Sequence, residues 1–264
     1  MIAAPDISRA LAQLGVMRGD TLLVHSGLKG ALRLAGDTRE EKLATLTGGL
    51  CDSVSDGLLI LPTFTYSFTR GEDFHLRDSQ STVGVLSERF RALPGVKRTT
   101  DPIFSCALLG ELADPWGELL LRIGDHDCFG PHSIFGLLAQ ADAKLLFLGV
   151  GFEMCTFVHH VEQRLRVPYR YLKDFHGTVL DGDERAAAVT ARYFVRDLAD
   201  DVESHFAPLG EDLLAAGDAR QARLERGPSL YVTSAAAVAS RIERRLGEHS
   251  DYLLRRGHRA PATP

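Results

Sequence analysis

The stretch Leu148-Gly-Val-Gly-Phe-Glu-Met-Cys-Thr-Phe-Val-His-His-Val-Glu162 predicts how the chain folds around its most chemically useful residues. The apolar run that ends at Leu148 predicts a buried strand, and two glycines then end it. A helical pattern begins near Thr156, whose hydroxyl could accept a hydrogen bond from a free amide of the first turn. His159 and Glu162 lie three residues apart, so they share one face of that helix.

Two interpretations of this pair are open. In the first, a histidine and a glutamate beside the end of a buried strand form a place where a proton could be transferred, because histidine titrates near neutral pH. In the second, His159 packs against its own helix and Glu162 lies in solvent.

Short apolar runs alternate with helical patterns through the first two-thirds of the chain. The runs at 21–26 and 57–62 predict buried strands, and a later helical pattern, capped by Ser81 or Thr82, extends to Leu93. Continuously apolar strands are typical of a sheet that is covered on both faces. We therefore expect an α/β fold.

The rest of the chain predicts two further features. Residues 63–80 read as a long loop that mixes aromatic and charged side chains, and a loop of that length usually has a function. The patterns at 197–216 and 234–254 predict helices. We therefore expect one domain spanning 1–264, with a mostly helical C-terminal part from about residue 180.

Composition is that of a globular protein. The hydrophobic fraction is 45% and the formal net charge is -5, which favours a packed core and argues against a nucleic-acid-binding surface, since that would need a basic patch. No apolar run has the length of a membrane span and the first residues lack a signal-peptide core, so we expect a cytoplasmic protein with no membrane partner. The cysteines lack zinc-like spacing and are expected to be reduced thiols (Cys51, Cys106, Cys128 and Cys155).

The turn after the first strand, Val24-His-Ser-Gly-Leu-Lys-Gly30, offers an imidazole, a hydroxyl, free amides and an ammonium group. In open α/β sheets, ligands lie at the carboxyl ends of strands. These groups suit an anion such as a phosphate. A plain turn with a surface lysine is the alternative.

Two later turns have similar double interpretations. The glycine of Phe129-Gly-Pro-His-Ser133 would let a ligand approach the backbone. The alternative is a turn that begins a helix, with Ser133 as its cap. Asp101 precedes Pro102, and this dipeptide most often begins a turn.

Several common catalytic motifs are absent from the sequence. There is no GxSxG element of serine hydrolases, no GxxxxGK[ST] phosphate loop and no GxGxxG dinucleotide fingerprint. His159, His160, Asp101 and Glu162 lack the HExxH or paired-cysteine spacing of metal sites, so we expect no metal.

Six segments, taken together and in order, resemble the aminoglycoside 3-N-acetyltransferase family over roughly residues 5–180. They are VHSGLK near residue 25, LPTFTYSF at 61–68, TVGVLSERFRALPGVKR at 82–98, DPIFS at 101–105, FGPHSIFGLL at 129–138 and LGVGFEMCTFVHHVE at 148–162. The resemblance implies a central mixed sheet flanked by helices, of the antibiotic N-acetyltransferase type and not the GNAT type. It also implies N-acetyl transfer from acetyl-CoA.

The resemblance also implies roles for individual residues. The essential histidine of the family, in a T-x-x-H-x-x-E element, falls on His159, and Glu162 takes the acidic position. His159 is then the candidate general base, Asp101 or Glu162 could orient its ring, and His25 is a second catalytic candidate, with a strand-end histidine bonded to backbone as its alternative. The residues expected to line the coenzyme A cleft are Ser26, Gly27, Leu28, Lys29, Ser105, Phe129, Gly130 and Ser133.

One segment departs from the family pattern. Relatives that acetylate antibiotics usually have HPTHS where this chain has DPIFS, so Asp101 replaces the first histidine and Phe104 the second. These residues are expected to form walls of the acceptor side, so we expect an acceptor that is not a classical aminoglycoside. The leading prediction is therefore an amino sugar, free or nucleotide-linked, of a surface-polysaccharide or natural-product pathway.

Other functions are compatible with the same segments. One is an aminoglycoside 3-N-acetyltransferase that confers antibiotic resistance. Another is a homologue that binds an acyl-CoA or a sugar without turnover, and a third transfers a different acyl group. The expected partner is a small-molecule amine, and a homodimer is compatible with the C-terminal region.

Overall fold

The structure is a computed structural model, and it describes residues 1–27, 33–112, 115–182, 185–197, 202–224 and 227–256. The helices within these residues are α1 (Ala4–Gln13), α2 (Arg39–Ser53), α3 (Val85–Arg91), α4 (Trp116–Leu121), α5 (Ile134–Gln140), α6 (Val158–Leu165), α7 (Ala207–Ala216) and α8 (Ala235–Glu248). The strands are β1 (Thr21–Ser26), β2 (Leu58–Pro62), β3 (Phe74–His75), β4 (Lys97–Arg98), β5 (Cys106–Leu109), β6 (His126–Asp127), β7 (Lys144–Leu148), β8 (Arg170–Leu180), β9 (Ala186–Arg196), β10 (Val202–Ser204), β11 (Ala219–Arg223), β12 (Ser229–Ser234) and β13 (Leu254–Arg256).

Seven of these strands form the central sheet, in the order β11-β12-β7-β1-β2-β5-β4. β1 runs parallel to both β2 and β7, whereas the outer pairings are antiparallel. The predicted mixed sheet is therefore confirmed. The three parallel strands are the continuously apolar runs that the sequence shows, and all five residues of β2 are buried.

Apolar side chains cover both faces of this sheet, as the sequence predicts. Along β1, Leu22 and Val24 pack on the face that is covered by α1, α2 and α3. Leu23 points to the other face, together with Phe147 of β7 and apolar residues of α5, α6, α7 and α8. His25 follows Leu23 by two residues and stacks on Phe147, so it belongs to this second face.

A smaller four-stranded sheet, in the order β3-β8-β9-β6, packs on that second face. Its centre is a long antiparallel hairpin, in which β8 pairs with β9 from Arg170↔Arg196 to Leu180↔Ala186. The hairpin brings charged and aromatic side chains to α6, which carries His159 and Glu162.

Two predicted helix caps are wrong. The helix that was expected to be capped by Ser81 or Thr82 begins at Val85, after Gly84 with φ 128°. The Thr82 hydroxyl instead donates to the Phe64 carbonyl. Thr156 does not cap α6 either, because a turn of 3-10 helix at Phe152–Met154 delays the start of α6 to Val158 and the Thr156 hydroxyl contacts the Met154 carbonyl at 3.5 Å.

The predicted mostly helical C-terminal part is also wrong. Beyond residue 180 the chain forms α7 and α8, but it also forms β9 and four shorter strands. β12 pairs with β7 over Leu230↔Leu148 to Ser234↔Lys144, and β11 then pairs with β12 at the sheet edge. The short apolar run of β12 is stabilised by pairing with a strand 82 to 90 residues earlier, which local periodicity cannot show. Within the described residues no helix is long and apolar enough to cross a membrane.

Candidate active site

The predicted pair on α6 is in direct contact. His159 Nδ1 lies 2.7 Å from Glu162 Oε2. An ionised carboxylate can only accept a hydrogen bond, so Nδ1 carries the proton and donates it to Glu162. This leaves Nε2 of His159 as the ring nitrogen with a free lone pair. The pair therefore has the arrangement of a general base held in one tautomer.

Glu162 is fully enclosed, which rules out the interpretation that places it in solvent. Arg170 Nε of β8 lies 2.8 Å from Glu162 Oε2, and the Tyr169 hydroxyl donates to Glu162 Oε1 at 3.1 Å. Burial alone would raise the pKa of Glu162, but the hydrogen bond with His159 and the charges of His159 and Arg170 hold this pKa below its ordinary value. Glu162 is therefore an anion that three neighbours fix in place.

Two aromatic rings enclose the His159 imidazole. The Phe129 ring centroid lies 5.2 Å away and the Phe206 centroid 5.7 Å away, both edge to face, while 17% of the His159 side chain remains exposed. Burial lowers the pKa of His159, and the positive charge of Arg170 lowers it further against the opposing effect of Glu162. The imidazole is therefore neutral at pH 7, which is the form that accepts a proton.

His160 points away from this arrangement. Its Nδ1 lies 2.8 Å from the Phe129 carbonyl oxygen, so it fixes the turn before α5. Among the described residues, no group of three or more histidine, cysteine, aspartate or glutamate side chains could hold a metal ion.

Asp101 does not have the catalytic contact that the resemblance suggested. Its Oδ1 accepts hydrogen bonds from the backbone amides of Ile103 and Phe104, at 2.8 and 2.9 Å. This is the turn that an Asp-Pro dipeptide favours. The carboxylate that contacts His159 is that of Glu162, so the proposed orientation of His159 by Asp101 is wrong.

His25 is buried at the end of β1, and its ring stacks on that of Phe147 with centroids 5.3 Å apart. Among the described residues no hydrogen-bond partner contacts its buried Nε2. Burial lowers the pKa of His25 to about 4. A buried ring nitrogen without a partner is costly, so it marks a place where a ligand group could supply the hydrogen bond.

The depressed pKa of His25 predicts a loss of stability in acid. Between pH 6.5 and about 4 the unfolded chain protonates His25 while the folded chain does not, so the free energy of unfolding falls as pH falls through this window. The shift corresponds to about 3 kcal/mol, at about 1.4 kcal/mol per pH unit. Urea unfolding at pH 7 and pH 4 should therefore show a smaller acid loss for His25→Phe than for the unchanged protein. Equal losses of the free energy of unfolding in the two proteins would contradict a lowered pKa of His25.

The turn after β1 is only partly described. Ser26 is half-buried, and Gly27 donates its amide to the Leu148 carbonyl at 2.9 Å. A Cβ added at Gly27 would lie 2.4 Å from Val150 Cγ1, so this glycine allows the ends of β1 and β7 to approach each other. Leu28 and Lys29, which were predicted to bind coenzyme A, lie outside the described residues.

The other residues predicted to bind coenzyme A have internal contacts. Ser105 has no exposed surface, and its hydroxyl donates to the Thr63 carbonyl at 2.8 Å. The prediction that Ser105 contacts coenzyme A directly is therefore wrong. Ser133 caps α5, and its hydroxyl accepts a hydrogen bond from the Gly136 amide at 3.3 Å. This confirms the interpretation of the turn as the start of a helix.

Phe129 and Gly130 are also buried in the turn before α5. Phe129 contributes its ring to the wall around His159, whereas a Cβ at Gly130 would lie 2.5 Å from Asp127 Oδ2. A larger residue at position 130 would therefore have to displace the Asp127 side chain. Contact of either residue with coenzyme A stays a prediction.

Sequence reasoning missed Arg170 and Tyr169, which hold Glu162. The segment Val167-Pro-Tyr-Arg-Tyr171 reads as an ordinary strand start, and nothing in its spacing distinguishes a buried arginine from an exposed one. A second missed feature is Tyr66, whose φ of 55° is unusual for an aromatic residue. Its place in the predicted 63–80 loop was the only available signal.

Comparisons with known proteins identify the family to which the chain is similar. A sequence profile described as aminoglycoside 3-N-acetyltransferase matches residues 23–244. Aminoglycoside N(3)-acetyltransferase VIII of Streptomyces fradiae is 27% identical over 267 residues, covering 89% of this chain and 88% of the relative.

Solved structures resemble the whole fold. Aminoglycoside acetyltransferase AAC(3)-Xa matches with a TM-score of 0.78 and 24% identity, over 94% of this chain and 93% of that one. The binary complex of AAC-IIIb with CoASH matches with a TM-score of 0.76 and 23% identity, over 98% and 99%. These structural matches confirm the predicted fold type.

Proposed function

The chain belongs to the aminoglycoside 3-N-acetyltransferase family, and on that premise we propose that it transfers an acetyl group from acetyl-CoA to the 3-amino group of an aminoglycoside. N-acetyl transfer from acetyl-CoA follows from the family itself. The aminoglycoside acceptor is supported by curated relatives of this name that match over most of their length.

The buried His159–Glu162 pair is the observation that carries the proposal. An alkylamine is protonated at pH 7, because its pKa is near that of lysine, roughly 10, and it must lose a proton before it can attack a carbonyl carbon. His159 Nε2 can accept that proton, since Nδ1 is committed to Glu162. The carboxylate then stabilises the imidazolium that forms. General-base catalysis of this kind contributes about 10²–10⁴-fold to the rate.

Arg170 and Tyr169 complete the arrangement without contacting the reacting atoms. They hold Glu162 at 2.8 and 3.1 Å, so the imidazole cannot rotate without losing a buried hydrogen bond. Such fixed orientation matters because a base must lie within hydrogen-bond reach of the proton it removes.

The carboxyl end of β1 fits the acetyl donor. His25 has a buried ring nitrogen that finds no partner among the described residues, and an amide or thioester group would give it one. We assign His25, Ser26 and Gly27 to holding the donor next to the sheet. When bound, acetyl-CoA supplies the electrophilic acyl carbon.

The departure from HPTHS does not argue strongly against an aminoglycoside. Asp101 is 7% exposed and Phe104 only 2%. Both residues are therefore mainly interior, and their replacement leaves the surface of the acceptor side to other residues. The amino-sugar acceptor remains the alternative, with less support from the curated relatives.

A panel of amines tests the acceptor. Purified protein with acetyl-CoA should release free thiol with gentamicin or apramycin at a higher kcat/KM than with glucosamine or a UDP-linked amino sugar. NMR of the product should place the acetyl group on the 3-amino nitrogen. Turnover confined to the simple amino sugars would reject the aminoglycoside acceptor, and coenzyme A binding without thiol release from any amine would favour a non-catalytic homologue.

A further inference from the structure

Tyr66 has a backbone conformation that glycine would adopt more easily. Its φ is 55°, in the left-handed region where a bulky side chain is strained. Strained residues of this kind persist only where surrounding contacts hold them, and they concentrate at functional sites. The presence of a tyrosine at this position therefore needs an explanation that involves its side chain.

The DPIFS segment holds the Tyr66 backbone in place. The amides of Thr65 and Tyr66 both donate to the Ile103 carbonyl, at 3.2 and 3.3 Å, and the amide of Ser67 donates to the Pro102 carbonyl. The turn formed by Asp101 thus presents its carbonyl groups to the strained residue.

Arg98 secures the same loop from its other side. Its guanidinium is buried and donates to the carbonyl groups of Thr63, Leu76 and Ser79, at 2.9, 3.1 and 2.7 Å. The loop from 63 to 79 is thereby fixed at both ends. The conformation of Tyr66 is imposed by these contacts.

Tyr193 of β9 contacts the same phenylalanine ring as Tyr66. Both rings pack edge to face against Phe104, with centroids 5.5 Å away for Tyr66 and 4.9 Å for Tyr193. Tyr193 also lies 5.8 Å from Phe129, whose ring is 5.2 Å from that of His159. The two tyrosines are partly exposed, whereas Phe104 and Phe129 behind them are buried.

The chemistry of this pair suits an aminocyclitol or sugar. A tyrosine offers a ring face to an ammonium group and a hydroxyl to an alcohol. Burial raises the pKa of Tyr66 to about 12, so its phenol stays neutral and can donate a hydrogen bond across the working pH range. Burial also raises the pKa of Tyr193, against the opposing effect of the charge of Arg170 and a hydrogen bond with it, while the negative charge of Glu162 adds to the rise. Tyr193 is therefore close to the residues that surround Glu162.

We infer that Tyr66 and Tyr193 form the wall that binds the acceptor beside His159, with Phe104 as the positioning residue behind both rings. This inference rests on the proposed function, because it assumes that His159 deprotonates an amine. It also gives the DPIFS segment a role, since Pro102 and Ile103 hold Tyr66 and Phe104 supports the two rings.

Hydroxyl removal tests the wall. Tyr66→Phe and Tyr193→Phe should each raise the acceptor KM about 3- to 10-fold, the fold-change expected for one lost hydrogen bond, and should raise it more than they lower kcat. The KM for acetyl-CoA should change less. Tyr66→Gly removes the ring and relieves the backbone strain, so it should fold and bind the acceptor still more weakly.

Tyr171→Phe is the matched control, because Tyr171 lies on β8 with 49% of its surface exposed. It should leave both KM values unchanged. Calorimetric titration of gentamicin into each folded variant gives a readout that does not require turnover. Acceptor KM and binding equal to those of the control in all three wall variants would overturn the inference.

Failure of the proposed function is distinguishable from failure of the wall. If the unchanged protein acetylates only simple amino sugars, the proposed acceptor is wrong. The KM of each tyrosine variant for that amino sugar, relative to the KM of the unchanged protein, then tests the wall. If the unchanged protein neither binds nor acetylates any amine of the panel, both proposals are rejected.

Discussion

Replacement of His159 by alanine should lower kcat by about 10²–10⁴-fold, while the affinity for acetyl-CoA stays nearly unchanged. The variant loses the group that we propose accepts the proton from the amine, and Glu162 cannot replace it among the described residues, because it is enclosed and already contacts Arg170 and Tyr169. A loss confined to the chemical step shows as equal falls in kcat and kcat/KM. Thiol release under saturating amine, with a separate coenzyme A titration, measures the two effects.

His176→Ala is the control for this variant, since His176 lies on an exposed part of the hairpin and its ring contacts Thr190. It should keep normal turnover. The kcat of the unchanged protein should also fall in acid with an apparent pKa below 6.5, because His159 must be neutral to act and burial lowers its pKa. Wild-type turnover in His159→Ala would show that the base is another residue.

Replacement of Glu162 by alanine should lower the free energy of unfolding by about 3–5 kcal/mol. The Arg170 side chain is only 3% exposed, so the substitution leaves a positive charge buried without its counterion. The same variant loses the hydrogen bond that orients His159 and should be nearly inactive. Urea unfolding at pH 7 measures the first effect.

Two further variants separate charge burial from other causes. Glu243→Gln removes the carboxylate of an exposed pair with Arg164 and should change stability by about 1 kcal/mol or less. The double variant Glu162→Met with Arg170→Met should recover most of the lost stability, because buried ion pairs can often be replaced by packed apolar residues. It should not recover activity. A Glu162→Ala variant as stable as Glu243→Gln would show that the buried pair contributes little.

The parts of the structure that the sequence predicts are those that local pattern determines. The apolar runs of β1, β2 and β7 and the shared helix face of His159 and Glu162 follow from the periodicity of strands and helices. The turn at Asp101 also follows from its own residues, and there the local interpretation was better than the analogy with related enzymes.

The parts that the sequence does not predict depend on contacts between distant elements. β12 is a strand because it pairs with the edge of β7, whereas the helical pattern that the sequence shows in this region begins only at residue 234. The burial of Arg170 depends on how the hairpin packs on α6. The strained backbone of Tyr66 depends on hydrogen bonds to the carbonyl groups of residues 102 and 103. Side-chain identity in sequence carries no direct sign of either.

The attachment of the hairpin to α6 through Arg170 and Glu162 limits how the enzyme can open. Movement of the hairpin base away from α6 would separate the buried charges of Arg170 and Glu162. Because an unpaired buried charge is costly, we expect this movement only when the whole protein unfolds. Backbone amides at the start of β8 and in α6 should then exchange with solvent as one cooperative unit. Molecules that reach the imidazole must do so by a route that leaves this joint closed.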